Sequence, residues 1–128
     1  MVNFLIIGAQ KGGSTWLYET LKLDSRIFLP NKVELKYFSK SFCEDGEKFA
    51  QYMNNFGAIT SEDDYKFIGE KSPCYFWSSD ESSKYCKQSD TFNRNIPRSV
   101  RQMLGRDLKI FISLRHPVWR AISAFHHH

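Results

Sequence analysis

A glycine-rich loop between an apolar segment and a helix is the feature that most restricts the fold of this 128-residue chain. Asn3 to Ile7 is short, apolar and bounded by Gly8, which predicts a buried strand. Gly8 to Gly13 then forms a loop, and Ser14 to about Leu23 carries leucines four residues apart on one helical face. A strand that runs through such a loop into a helix predicts an α/β domain.

Strand and helix patterns alternate along the rest of the sequence. Helices are predicted over Glu47–Phe56, from Pro97 to Gly105 and from Pro117 onward; strands over Phe67–Gly69 and Lys109–Leu114; a short apolar run at Ile27–Leu29; and a polar loop over Ser78–Asn95. This order predicts a parallel β-sheet flanked by helices, a P-loop-like α/β fold.

We expect residues 1–128 to form one partial domain. The last predicted helix, Pro117 to His128, ends without a cap or a following loop, which favours truncation. The three terminal histidines are interpreted as part of a truncated helix in preference to a tag. A metal site is the weaker interpretation, because consecutive helical residues point in different directions.

The first loop has the chemistry of an anion site. A helix N-terminus presents free N–H groups and the positive end of the helix dipole, and glycines let the backbone approach a ligand closely. Lys11 adds a positive charge, while Ser14 and Thr15 add hydroxyl donors. The loop therefore predicts phosphate binding.

The Walker phosphate loop offers an alternative interpretation. Gly8, Gly13 and Thr15 keep the Walker spacing, but Ser14 stands where that motif has its lysine. The strand where an acidic Walker-B residue is expected ends in Arg115 instead. A P-loop nucleotide kinase or NTPase is thus an open but weaker alternative, and a cationic site without a metal fits better.

A second anion signature follows the strand at Lys109–Leu114. Arg115 comes directly after that strand, where ligands bind in open α/β sheets, and a guanidinium can fork onto a phosphate. Ser123 lies two helical turns further on and could reach the same anion. Arg120, on the same helix, is interpreted as a solvated residue or part of a surface ion pair.

Taken together, these segments resemble sulfotransferases that use 3′-phosphoadenosine-5′-phosphosulfate (PAPS). The resemblance covers nearly the whole chain and includes Leu114 to Ser123, the segment that binds the 3′-phosphate in that family. Lys32 to Phe38 and Phe67 to Phe76, the latter reading FIGEKSPCYF, resemble the heparan-sulfate-type and bacterial branch.

The resemblance implies a role for each matched residue. The cofactor would be bound by Lys11, Gly12, Gly13, Ser14, Thr15, Trp16, Arg115 and Ser123. Glu34 would act as the base that takes the acceptor proton, and Lys11 with Lys71 would stabilise charge on the departing phosphate. The implied reaction moves a sulfuryl group to a hydroxyl or amine of a glycan or small molecule, with no metal required. A fragment that binds PAPS but is inactive is a further alternative.

Charge and composition add few restrictions. A net charge of +4 suits an anionic ligand without requiring nucleic acid, and no apolar stretch is long enough to span a membrane. We therefore expect a cytoplasmic protein, or one of the Golgi lumen if an N-terminal anchor precedes this chain. Three cysteines, Cys43, Cys74 and Cys86, lack metal-site spacing and are expected to be reduced thiols.

Overall fold

The computed structural model describes residues 1–40, 45–57, 59, 65–76 and 95–126. Within these ranges strands and helices alternate: β1 Phe4–Gly8, α1 Ser14–Leu21, β2 Ile27–Phe28, α2 Gly46–Met53, β3 Phe67–Lys71, α3 Ile96–Leu104, β4 Lys109–Ile112 and α4 Pro117–Phe125. Short 3-10 helices occupy Tyr37–Ser39, Asn54–Phe56 and Pro73–Phe76. The predicted polar loop, apart from Asn95, lies outside the described residues, as do Cys43, Cys86, His127 and His128.

The strands form one parallel sheet in the order β2-β3-β1-β4. Leu5 of the central strand β1 stands opposite Glu70 of β3 on one side and Ile110 of β4 on the other. The predicted parallel sheet with flanking helices is therefore confirmed.

Helices cover both faces of the sheet. Alternate residues of each strand point to opposite faces, so both faces carry apolar side chains that a helix must bury. Phe4 and Ile6 pack with Tyr18 of α1 in one hydrophobic cluster. Leu5 belongs to the second cluster, on the face that α2 and α3 cover, with Tyr52 among its members.

Several element boundaries differ from those the sequence predicts. β3 continues through Glu70 and Lys71, because both polar side chains, although buried, have partners that compensate their burial. β4 ends at Ile112 and not Leu114, and α1 ends at Leu21 and not Leu23. The predicted helix over Glu47–Phe56 is an α-helix to Met53 that tightens into a 3-10 turn.

The parallel strands direct their carboxyl ends to one edge of the sheet. The glycine-rich loop after β1, Ser72 after β3 and Ser113 after β4 therefore lie side by side. At the side of the sheet that β4 occupies, the structure is open: β4 is exposed, and α4 contains no buried residue. No helix in the described part of the chain has the length and apolarity needed to cross a membrane.

Candidate functional site

The loop after β1 delivers an uncapped helix N-terminus to the carboxyl edge of the sheet. The Gly12 N–H donates to the Ala9 carbonyl at 2.9 Å, and Gly13, with φ of 98°, begins the helix without a side-chain cap. The first intrahelical bond runs from Leu17 N–H to Gly13 O at 3.1 Å. The N–H groups of residues 14–16 therefore precede that ladder, and no acidic residue lies in this turn.

Gly12 allows the loop to pack directly on the end of β4. A Cβ at this position would lie 2.2 Å from the Ser113 carbonyl oxygen. That carbonyl accepts the Ala9 N–H at 2.9 Å, and the Ser113 hydroxyl donates to the Gly12 carbonyl at 2.7 Å. These bonds fix the loop relative to the strand that precedes Arg115.

Lys71, at the end of β3, connects the loop to the segment that contains Glu34. Its side chain is only 2% exposed, and its ammonium donates to the Thr15 hydroxyl at 2.9 Å. The same ammonium lies 3.6 Å from Glu34 Oε1 and 5.9 Å from the centre of the Tyr18 ring. Glu34 Oε2 also pairs with Lys36 Nζ at 3.2 Å, so one carboxylate lies between two ammonium groups.

These elements surround a cavity of about 420 Å³ at the carboxyl edge of the sheet. Its lining consists of Gln10, Lys11, Gly13, Ser14, Thr15, Glu34, Lys36, Lys71, Pro73, Cys74, Arg115 and Ser123. Four of these residues are cationic and one is a carboxylate, so the cavity attracts anions.

The structure brings most of the predicted site residues together. The three predicted catalytic residues, Lys11, Glu34 and Lys71, line the cavity, as do Arg115 and Ser123 from the second signature. The predicted loop residues Gly13, Ser14 and Thr15 line it as well.

Two predicted cofactor residues do not line the cavity. Gly12 is buried against Ser113, and the Trp16 side chain is 72% exposed, although its backbone N–H belongs to the uncapped first turn.

Sequence reasoning missed four lining residues: Gln10, Lys36, Pro73 and Cys74. The available signal was that Gln10 lies within the predicted loop and that the other three lie within the segments Lys32 to Phe38 and Phe67 to Phe76. Cys74 is a free thiol, and burial raises its pKa, while a hydrogen bond with Ser39 and the charge of Lys36 act in the opposite direction.

A buried carboxylate stands behind this cavity. Glu70 is 1% exposed and accepts hydrogen bonds from the hydroxyls of Tyr52 at 3.0 Å, Tyr75 at 2.9 Å and Ser72 at 2.9 Å. Burial raises the pKa of Glu70 to about 7, although these hydrogen bonds lower it. Burial raises the pKa of the Tyr75 phenol well above its usual range, and the negative charge of Glu70 raises it further.

Comparison with known proteins follows the same direction as the geometry. No protein-family model matches the chain. The chain is 27% identical over 126 residues to the membrane-associated sulfotransferase kil1 of Dictyostelium discoideum. This alignment covers 97% of the chain and 22% of the Dictyostelium protein. It matches the crystal structure of a sulfotransferase from Alicyclobacillus acidocaldarius with a TM-score of 0.71 and 26% identity.

Both similarities support a sulfotransferase family for this chain. The structural match covers 99% of the chain and 49% of the bacterial sulfotransferase, so the chain spans about half the length of that protein. The predicted α/β sulfotransferase fold is thereby confirmed over this length. Among the described residues, no group of three or more His, Cys, Asp or Glu side chains could hold a metal ion.

Proposed function

We propose that this chain is the cofactor-binding part of a PAPS-dependent sulfotransferase. Its reaction would transfer a sulfuryl group to a hydroxyl or amine of a glycan or small molecule. The observation that carries the proposal is the cationic cavity, in which the loop after β1 and Arg115 after β4 line the same space.

The ion pairs leave two cations available to a ligand. Glu34 is paired with both Lys36 and Lys71. Lys11 and Arg115 make no ion pair with any part of the chain that the structure describes. These two residues follow different strands, β1 and β4, which suits a ligand with two separate anionic groups such as the phosphosulfate and the 3′-phosphate of PAPS.

The available donors divide into two sets that suit these groups. The uncapped N–H groups at the start of α1, together with Lys11 and the Ser14 and Thr15 hydroxyls, would hold the 5′-phosphosulfate. Gly13 and Trp16 would contribute through their backbone N–H groups. Gly12, whose N–H is bonded to the Ala9 carbonyl, would contribute by letting the loop pack closely on the end of β4. Arg115 and Ser123 would hold the 3′-phosphate.

When bound, the cofactor supplies the sulfuryl group that is transferred. Glu34 would accept the proton of the attacking hydroxyl or amine, because it supplies the carboxylate of the cavity lining. Lys11 and Lys71 would stabilise negative charge on the phosphate side of the cavity. The segments that contain Glu34 and Lys71 favour the heparan-sulfate-type and bacterial branch.

The proposal also includes a location in the cell and independence of metal ions. A cytoplasmic location stays a prediction from the sequence; the similar Dictyostelium protein is described as membrane-associated. The donors named above are cationic and N–H groups, so the proposed site needs no metal.

Calorimetric titration with 3′-phosphoadenosine-5′-phosphate in the presence of EDTA tests this proposal. Each of Lys11→Ala and Arg115→Ala should weaken binding about tenfold to a hundredfold, since each removes a charge-assisted contact. Lys66→Ala is the matched control: it removes one positive charge just before β3, at the opposite edge of the sheet, and should leave the affinity unchanged.

Three results would contradict the proposal. These are no binding to the folded chain, equal losses in all three variants, or binding of ATP only with Mg²⁺, which would favour a kinase or NTPase. Binding without any transfer activity would identify this chain as an inactive cofactor-binding fragment.

A further inference from the structure

The hydroxyls that donate to Glu70 also contact the backbone of the segment that contains Glu34. The Ser72 hydroxyl donates to Glu70 Oε2 at 2.9 Å and accepts the Lys36 N–H at 3.0 Å. The Tyr75 hydroxyl donates to Glu70 Oε1 at 2.9 Å and accepts the Phe38 N–H at 3.2 Å. Two bridges therefore run from one buried carboxylate to two backbone amides two residues apart.

The carboxylate determines the direction of both bridges. Above its pKa of about 7, Glu70 is an ionised carboxylate and can only accept, whereas a hydroxyl can donate or accept. Because Glu70 receives the hydroxyl protons, the lone pairs of Ser72 and Tyr75 are left to accept from the amides. The Leu35 N–H also interacts with the Glu70 carboxylate.

The held segment has a conformation that needs support. Lys36 has φ of 56°, in the left-handed region that non-glycine residues rarely adopt. This residue follows Glu34 by two positions, and both side chains line the cavity. Fixing the Lys36 amide thus fixes where the two side chains project.

We propose that Glu70 is a positioning residue: through Ser72 and Tyr75 it holds residues 34–38 so that Glu34 faces Lys71 across the cavity. This inference rests on the proposed function for its catalytic meaning, and on the hydrogen bonds alone for its geometry. Glu70 itself does not line the cavity, so its effect passes through the two bridges and the Leu35 amide.

Tyr52 provides an internal control. Its hydroxyl donates to the same Glu70 oxygen at 3.0 Å but forms neither of the two amide bridges. Tyr52→Phe keeps the aromatic ring, which stacks on Tyr37, and removes one bond to Glu70 of the same kind that Tyr75→Phe removes.

Amide hydrogen exchange of the full chain, measured residue by residue at a fixed pH of about 8 where Glu70 is ionised, separates these contacts. Ser72→Ala should speed exchange at Lys36 about tenfold, Tyr75→Phe should do so at Phe38, and Glu70→Gln at both. Tyr52→Phe should change neither. The Val100 amide in α3 serves as a reference, since a general loss of stability would accelerate it as well.

Carbodiimide crosslinking reports the position of Glu34 directly. The reagent couples a carboxylate to a nearby amine, and Glu34 lies 3.6 Å from the Lys71 ammonium. The yield of this crosslink, read by mass spectrometry, should fall severalfold in Ser72→Ala and Glu70→Gln and stay unchanged in Tyr52→Phe.

Specific outcomes would overturn the inference. It is wrong if Glu70→Gln leaves both amides protected, or if Tyr52→Phe has the same effect as Tyr75→Phe. Should Glu70→Gln not fold, Ser72→Ala and Tyr75→Phe must each release only their own amide, and any other pattern refutes the two bridges. Titration with 3′-phosphoadenosine-5′-phosphate tests the cofactor proposal separately. If the chain did not bind this nucleotide, the predicted pattern of amide exchange would still hold.

Discussion

Gly12→Ala should be among the most damaging single substitutions in the phosphate loop. The added Cβ would lie 2.2 Å from the Ser113 carbonyl oxygen and 2.9 Å from the Ala9 carbonyl oxygen. Both neighbours are backbone atoms, so no side-chain rotation can relieve the contact. The loop and the end of β4 must separate.

The cost can be worked out from the contacts that this separation disrupts. Reaching an ordinary contact distance requires a shift of about 1 Å, which breaks the 2.9 Å bond from Ala9 N–H to the Ser113 carbonyl. Losing that bond costs about 1 kcal/mol, and overpacking adds about 1–3 kcal/mol. The total of about 2–4 kcal/mol corresponds to a melting temperature lowered by about 10 °C.

Thermal unfolding followed by circular dichroism measures this effect, with Gly46→Ala as the control. A Cβ at Gly46 meets nothing within 4 Å, and the residue begins α2, so alanine there should be neutral or stabilising by up to about 1 kcal/mol. Gly12→Ala should also weaken binding of 3′-phosphoadenosine-5′-phosphate. If both variants melt together, the loop is not packed on β4 as described.

Two further predictions concern the buried charges at the end of β3. Since the pKa of Glu70 is raised from 4.5 to about 7, the folded state keeps a proton that the unfolded state has lost between these values. This contribution to stability is present below pH 4.5 and is lost as the pH rises through about 7. In denaturant titrations, the unfolding free energy of wild type relative to Glu70→Gln should therefore fall by up to about 3 kcal/mol from pH 4 to pH 8. A difference that does not change with pH would refute the assignment. Lys71→Met should leave the chain about as stable, because an apolar side chain of similar size replaces a buried ammonium and Glu34, which is 35% exposed, keeps its pair with Lys36. The variant should nevertheless weaken binding of 3′-phosphoadenosine-5′-phosphate in calorimetry. Unchanged binding would remove Lys71 from the site.

Local patterns predicted the parts of the fold that local interactions determine. Pro97 near the start of α3 and Gly105 after its end mark that helix in the sequence and in the structure. The apolar run before Gly8 likewise predicted the central strand. The end of β3 could not be found in this way, since Glu70 and Lys71 read as surface residues until their partners, distant in sequence, are known.

The residues of the candidate site also fall into those that local sequence patterns predict and those that they do not. Lys11, Thr15 and Arg115 follow from the positions of a glycine-rich loop and a strand end, which sequence patterns locate. Glu34 and Lys71 came from resemblance alone, because no local pattern connects two residues 37 positions apart. The left-handed backbone of Lys36 left no mark in the sequence, since it depends on acceptors from the segment after β3.

The alternation of side chains along a strand explains how β3 serves the site from two sides. Successive residues point to opposite faces of a sheet, so Glu70 and Lys71 diverge although they are neighbours in the chain. Glu70 meets the hydroxyls of Tyr52 and Tyr75 on the face of α2, and Lys71 meets Thr15 on the face of α1. The first anchors the backbone beyond Glu34, while the second contacts the Glu34 carboxylate itself. A shift of one residue in the register of β3 would exchange these two charges between the faces, which is why a parallel pairing that sets Leu5 opposite Glu70 is a condition for the site as well as for the core.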